Sequence, residues 1–261
     1  MSNLAFLAPA LSDLAHQVTN QVADQIAPAF NDLAQFKPEK PRWFDNVVLT
    51  RELYPETMKT LAMSGVSTLF TMLLGIPLGL LVVATDKHGL TPNAPVNKIV
   101  GFIVDLGRSI PFIILAVNLG PLTRLIVGTT LGWQAACVPL VIGATPFFAR
   151  LVQSNIMGVD SGKIEAAQMM GASKQQIMWG VQVREAMPAL VQSTTILIIT
   201  IISYSAITGA LGSGGVGFLA TNYGYYQQMY DVAISTIVVI GVIVMVIQGI
   251  GDRIVRRLDH R

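Results

Sequence analysis

Apolar residues in this chain gather into long runs instead of alternating. Five stretches, about 61–84, 99–119, 131–156, 186–211 and 231–250, carry few or no charges. Each is long enough to cross a bilayer, which takes roughly 20 helical residues. The first contains Gly75, Pro77 and Gly79. Small residues let neighbouring spans approach closely, and proline is tolerated in a span packed against protein. The second run is interrupted by Asp105 and Arg108, and Pro111 predicts a bend within it. The third is uncharged until Arg150, and no charge occurs between Glu185 and Asp231. The pattern predicts an all-α, polytopic membrane protein with five transmembrane helices.

Two regions break the pattern. Ahead of the spans, Leu11, Leu14, Val18, Val22, Ile26, Phe30 and Leu33 recur every three or four residues, one apolar stripe on an amphipathic helix. Such a helix suits a membrane surface or a partner. Phe36 to Trp43, with two prolines and several charges, then reads as a linker. The expected division is an amino-terminal amphipathic and linker extension over 1–56 and a transmembrane domain over 57–261. The second region, 162–190, is polar between two apolar runs and cannot lie in lipid. It predicts a short helix from Lys163 to about Met170, a break at Gly171 and a second helix from about Lys174, so one helical knob protrudes.

Composition supports the membrane reading. The 261 residues are 52% hydrophobic and 12% charged, whereas soluble domains carry about a quarter charged residues. The net charge of +2 says little about partners, and no nucleic acid is expected among them. The placement of Lys and Arg says more, because cytoplasmic loops carry the excess. Lys87, Lys98, Arg150, Lys163, Lys174, Arg184 and Arg253 to Arg261 fall on one side. Arg124 falls on the other, where 209–228 carries no basic residue. The basic residues of the amino-terminal region are balanced there by acids. The 162–190 loop and the carboxyl terminus are therefore expected in the cytoplasm and the amino terminus outside. The glycine- and tyrosine-rich stretch from Leu211 then reads as a re-entrant or capping turn on the outer face.

No enzyme signature is present: neither a phosphate-binding Gly-x-x-x-x-Gly-Lys nor a Gly-x-Ser-x-Gly elbow occurs, so no catalytic residue is assigned. His16, His88 and His260 lack ligand spacing and Cys137 is alone, so no metal or other cofactor is expected. Asp105 and Arg108, three residues apart, share a helix face and are costly in lipid unless paired or near an interface. Arg150 reads as a snorkelling interfacial residue. The fourth span carries Ser193, Thr194, Thr200, Ser203, Tyr204, Ser205 and Thr208. These hydroxyls either bond their own backbone or line a water-filled path, and Tyr204, Ser205 and Ile207 are the candidates near its outer end. A secondary transporter would need intramembrane carboxylates, for which Asp105 is the one candidate. A scaffold without transport is disfavoured by the hydroxyl-rich span.

The polar loop resembles the cytoplasmic EAA motif of ABC importer permeases: EAA, three residues, Gly, nine residues, Ile-x-Leu-Pro. Glu165, Ala166, Ala167 and Gly171 match it. The ending departs, with Val181 for the isoleucine, Val183 for the leucine and Arg184 for the proline, and Pro188 following four residues later. RSIPFIILAVNLGPLTRLIVGTTLG from Arg108, AACVPLVIGATPFFARLV from Ala135, YSAITGALGSGGVG from Tyr204, YGY from Tyr223 and GDRIVRRL from Gly251 are together similar to the permeases of methionine importers. The resemblance runs from about Thr57 to the end. It implies the type I ABC importer permease fold in the bacterial inner membrane and a non-catalytic subunit that pairs with a second copy. It further implies two ATP-binding cassette ATPases docked at Glu165 to Gly171, a substrate-binding lipoprotein outside, and methionine as cargo; the alternative is the same machinery importing another amino acid or small organic solute. A gate side chain on the fourth span corresponds to Ile207, where methionine is common in the family.

Overall fold

The computed structural model describes residues 46–258, so the amphipathic helix expected over 11–33 lies outside the described residues. Eleven α-helices make up the described chain, some joined by π-helical turns, and no strand occurs among these residues. The first is the short α1 (Val47–Arg51), capped by the Asn46 side chain, which accepts from the Val48 amide at 3.0 Å. The long α2 (Leu53–Thr85) begins ahead of the expected apolar run and includes position 57, the expected domain start. Next come α3 (Ala94–Ser109), α4 (Phe112–Asn118) and α5 (Gly120–Val127). α6 (Trp133–Met157) recrosses the bundle beside α2. α7 (Ser161–Met169) protrudes, and the one-turn α8 (Lys174–Gln176) leads through a π-helical stretch, Ile177–Val183, into α9 (Met187–Thr208). A second π turn, Gly209–Ser213, the short α10 (Val216–Phe218) and a third, Leu219–Tyr226, lead into α11 (Tyr230–Leu258).

Helices α2, α6, the α9 segment and α11 are each long and apolar enough to span a membrane. The second expected span is broken: α3 and α4 meet at 99°. Ile110 is extended, as the residue before a proline tends to be, and Pro111 has no N–H to continue the ladder. The bend expected at Pro111 is therefore a sharp corner.

The core lies where α2 packs on α6 and α9. Met63, Leu80, Leu140, Phe148, Val152, Ile156, Leu197 and Ile201 fill it. The approach of α2 to α6 depends on Gly79: a Cβ there would sit 2.6 Å from the Ala149 carbonyl oxygen and 2.7 Å from Val152. This is the close packing that small residues permit in lipid, where apolar burial alone does not drive helices together. Helix α11 is different. Ile237, Val238, Val242, Met245 and Val246 are exposed along it, and Val232 near its start is the apolar residue it buries deeply.

The charged positions of the bent span find partners that spacing did not suggest. Asp105 pairs across helices with Arg150, at 2.6 Å from Nη2 and 3.1 Å from Nε, in preference to Arg108 on its own helix. Arg150, expected to snorkel alone, also reaches Gln153 at 2.5 Å. The pair is partly exposed, so it lies at an edge of the bundle and not within the core.

Candidate functional site

The protruding end is held by a series of local devices. Asp160 caps α7, its carboxylate accepting from the Gly162 amide at 2.8 Å. At the other end Gly171 adopts φ +79°, which L side chains rarely adopt. Its amide donates to Gln168 O at 2.9 Å, and the Ala172 amide to Ala167 O at 3.1 Å. Those two bonds are a Schellman motif, the termination that a glycine in this conformation permits. Ser173 then opens the next helix with a capping box: its hydroxyl accepts from the Gln176 amide at 3.3 Å, and its own amide donates to Gln176 Oε1 at 2.8 Å. The helix, break and helix expected over 163–174 all occur here. Lys163 on α7 pairs with Glu185 at the base of α9. The knob is thus tied to the helix that follows it.

Within α7, Glu165, Ala166 and Gln168 face outward and Ala167 packs inward. Met169 and Met170 are 90% and 82% exposed, and Trp179 beyond them is 58% exposed. Sequence reasoning did not single out these three. Their signal, large apolar residues in a segment too polar for lipid, was present but overshadowed by the glutamate and alanines. The ending that departs from the motif costs no helical continuity. Arg184 is helical, and the Ala186 amide bonds to Gln182 O at 3.0 Å just ahead of Pro188. Helical backbone therefore runs from α8 through the π stretch into α9.

At the other end of α9 the three candidates part company. Tyr204 stacks on Phe112 of α4, ring centroids 4.2 Å apart and planes 3° from parallel. Ile207 packs on the rim of the core beside it. Ser205 is buried, its hydroxyl donating to Ile202 O at 2.7 Å, so it presents nothing to a path within this chain. Most hydroxyls of the span do the same: Thr194, Thr195, Thr200, Ser203 and Thr208 each bond a carbonyl three or four residues back. Ser193 instead accepts from Asn155 of α6 at 2.8 Å. A cavity of about 220 Å³ lies against this end, lined by Val117, Thr123, Leu131, Ala136, Thr208 and Leu211 among others.

The chain past α9 is held from far away. Gly214 and Gly215 have φ +77° and +85°. The Gly215 amide donates to the carboxylate of Glu56, and the Val216 amide to Thr60 Oγ1 at 2.8 Å. Glu56 is 5% exposed and also pairs with Lys59 at 2.5 Å. Nearby, Asn46 donates to Asp231 at 3.2 Å and joins α1 to the start of α11. Sequence reasoning missed Glu56, because nothing in its surroundings predicts a partner 159 residues on.

The described residues thus form a bundle of apolar helices from which the exposed, capped α7 protrudes. Residues 56–261 match the family of binding-protein-dependent transport system inner membrane components, and the chain belongs to that family. The probable D-methionine transport system permease protein MetI of Vibrio cholerae is 44% identical over 233 residues, 89% of this chain and 100% of that protein. The methionine import system permease protein MetP of Bacillus subtilis is 45% identical over 220 residues, 84% of this chain and 99% of that one. Among solved structures, an inward-facing conformation of the MetNI methionine ABC transporter is 42% identical, with TM-score 0.81, over 82% of this chain and 100% of that chain. An amino acid ABC transporter at 16% identity, over 78% of this chain and 93% of that one, has TM-score 0.67 and shares the fold. The fold is therefore that of type I ABC importer permeases.

Proposed function

We propose that this chain is the permease subunit of an ATP-driven methionine importer, non-catalytic in itself. The observation that carries the reading is the exposed, doubly capped α7 with its Glu165-Ala166-Ala167 and Gly171, in a chain matched almost end to end by methionine permeases. Two copies would enclose one path across the bacterial inner membrane. Each would present α7 to one of two ATP-binding cassette ATPases, and a substrate-binding lipoprotein would deliver cargo from outside. The charge distribution supports a cytoplasmic α7 and carboxyl terminus, with the amino terminus outside.

The geometry suggests how motion would travel. Displacement of α7 passes to α9 through the Lys163–Glu185 pair and the continuous helix from Lys174. The far end of α9 carries Tyr204 and Ile207, where an apolar Ile207 would close the path by contact with its counterpart in the second copy. The test is purification with the neighbouring ATPase and binding protein, followed by ATP hydrolysis with each amino acid. Methionine should stimulate hydrolysis and accumulate inside proteoliposomes. Stimulation by a different amino acid alone would move the assignment to the same machinery with other cargo. In intact cells, Ser173→Cys in a Cys137→Ser background should resist an impermeant thiol reagent, and labelling from outside would reverse the orientation.

A further inference from the structure

We propose that Glu56 is a positioning residue for transport: with Thr60 it latches the glycine turn beyond α9 onto α2, so that α2 and the gate end of α9 move as one body. The inference rests on the permease reading. It starts from a carboxylate that the fold alone does not require. Glu56 lies in the first turn of α2, where a surface position would be easier for a charged group, yet it is 5% exposed. A buried carboxylate is costly unless its oxygens are occupied. Here one oxygen accepts from the Gly215 amide and the other from Lys59 Nζ. One turn further along α2, Thr60 accepts from the next amide, Val216.

The turn is shaped to receive them. Two successive glycines with positive φ bring the chain against α2, where a Glu56 oxygen accepts from the Gly215 amide and the Thr60 hydroxyl from the Val216 amide. A Cβ on Gly214 would lie 3.0 Å from Glu56 Oε2, and one on Gly215 would lie 2.7 Å from both Thr60 Oγ1 and the Met63 methyl. The glycines are thus needed for approach as well as for conformation. The turn follows Thr208 and Ser213, whose hydroxyls bond each other at 3.1 Å, and it continues from the helix that carries Tyr204 and Ile207. Cut loose, the end of α9 could shift against α2 while α7 is driven, and the stroke would be spent without moving the gate.

The experiment uses the complete complex of permease, ATPase and binding protein in proteoliposomes and reads ATP hydrolysed per methionine transported. Loss of protein stability lowers both quantities together and leaves this ratio unchanged. Glu56→Ala should raise the ratio about tenfold or more, in keeping with loss of a buried charge-assisted bond. Glu56→Gln keeps an acceptor for the Gly215 amide and should fall within about threefold of the unaltered protein. Thr60→Val removes the neutral bond at Val216 and should raise the ratio by a smaller factor. If Glu56→Ala does not assemble, Thr60→Val decides: a raised ratio supports the latch and an unchanged one overturns it. A wild-type ratio in an assembled Glu56→Ala complex also overturns it. Failure of the unaltered complex to transport methionine would instead defeat the functional reading, so the two failures are distinct.

Discussion

The two ends of α9 are held in opposite ways. At the α7 end the order is local: Asp160, Gly171 and Ser173 each bond backbone within five residues of themselves, and the surface they shape stays exposed. At the other end the order is long-range: Gly215 and Val216 are fixed by residues more than 150 positions earlier and are buried. Local capping makes a part that protrudes and keeps its shape while it meets a partner. Long-range latching makes a part that cannot move without carrying its neighbours. In the function proposed above, the first end is the handle that meets the ATPase and the second braces the gate.

The contrast can be broken at its two glycines. Gly215→Ala places a Cβ 2.7 Å from Thr60 and Met63 and also demands φ +85° of an alanine. The strain and the clash together should destabilise the complex by about 2–5 kcal/mol, read as a lowered thermal midpoint. Gly171→Ala asks for φ +79° but meets open space, with nothing within 4 Å. It should cost about 1–2 kcal/mol and should impair binding of the ATPase more than it lowers the midpoint. Equal losses at the two sites would remove the distinction between the ends.

Smaller changes sharpen it. Ser173→Ala deletes the capping box and should cost about 1 kcal/mol, seen as a modest fall in the same midpoint. Asp105→Asn weakens the exposed pair with Arg150 and should cost less than about 1 kcal/mol. A larger loss there would show that the pair is shielded by lipid or by a partner. Ile207→Ala tests the gate directly: methionine leak through the complex without ATP should rise, and an unchanged leak would remove Ile207 from the gate.

These differences follow what could be read in advance. The α7 knob, its break and its second helix were legible because capping chemistry sits beside the backbone it caps. The apolar runs predicted α2, α6, α9 and α11 for a similar reason, since the length needed to cross a membrane is written in consecutive residues. The bend at Pro111 was visible and its 99° angle was not, because the angle depends on what the two short helices pack against. The hydroxyls of α9 could have lined a path or bonded their own backbone. In Ser205, Thr208 and their neighbours the second outcome holds: each hydroxyl bonds a carbonyl of its own helix three or four residues back.

The sequence by itself determined an all-helical membrane subunit, the position of its exposed helix and the motif on it. Tertiary structure alone decided that Asp105 pairs with Arg150 and not Arg108, that Glu56 reaches Gly215, and that Asn46 meets Asp231. The reason is common to all three. Most buried polar groups find a partner, and the fold, not the spacing along the chain, sets which partner lies within reach.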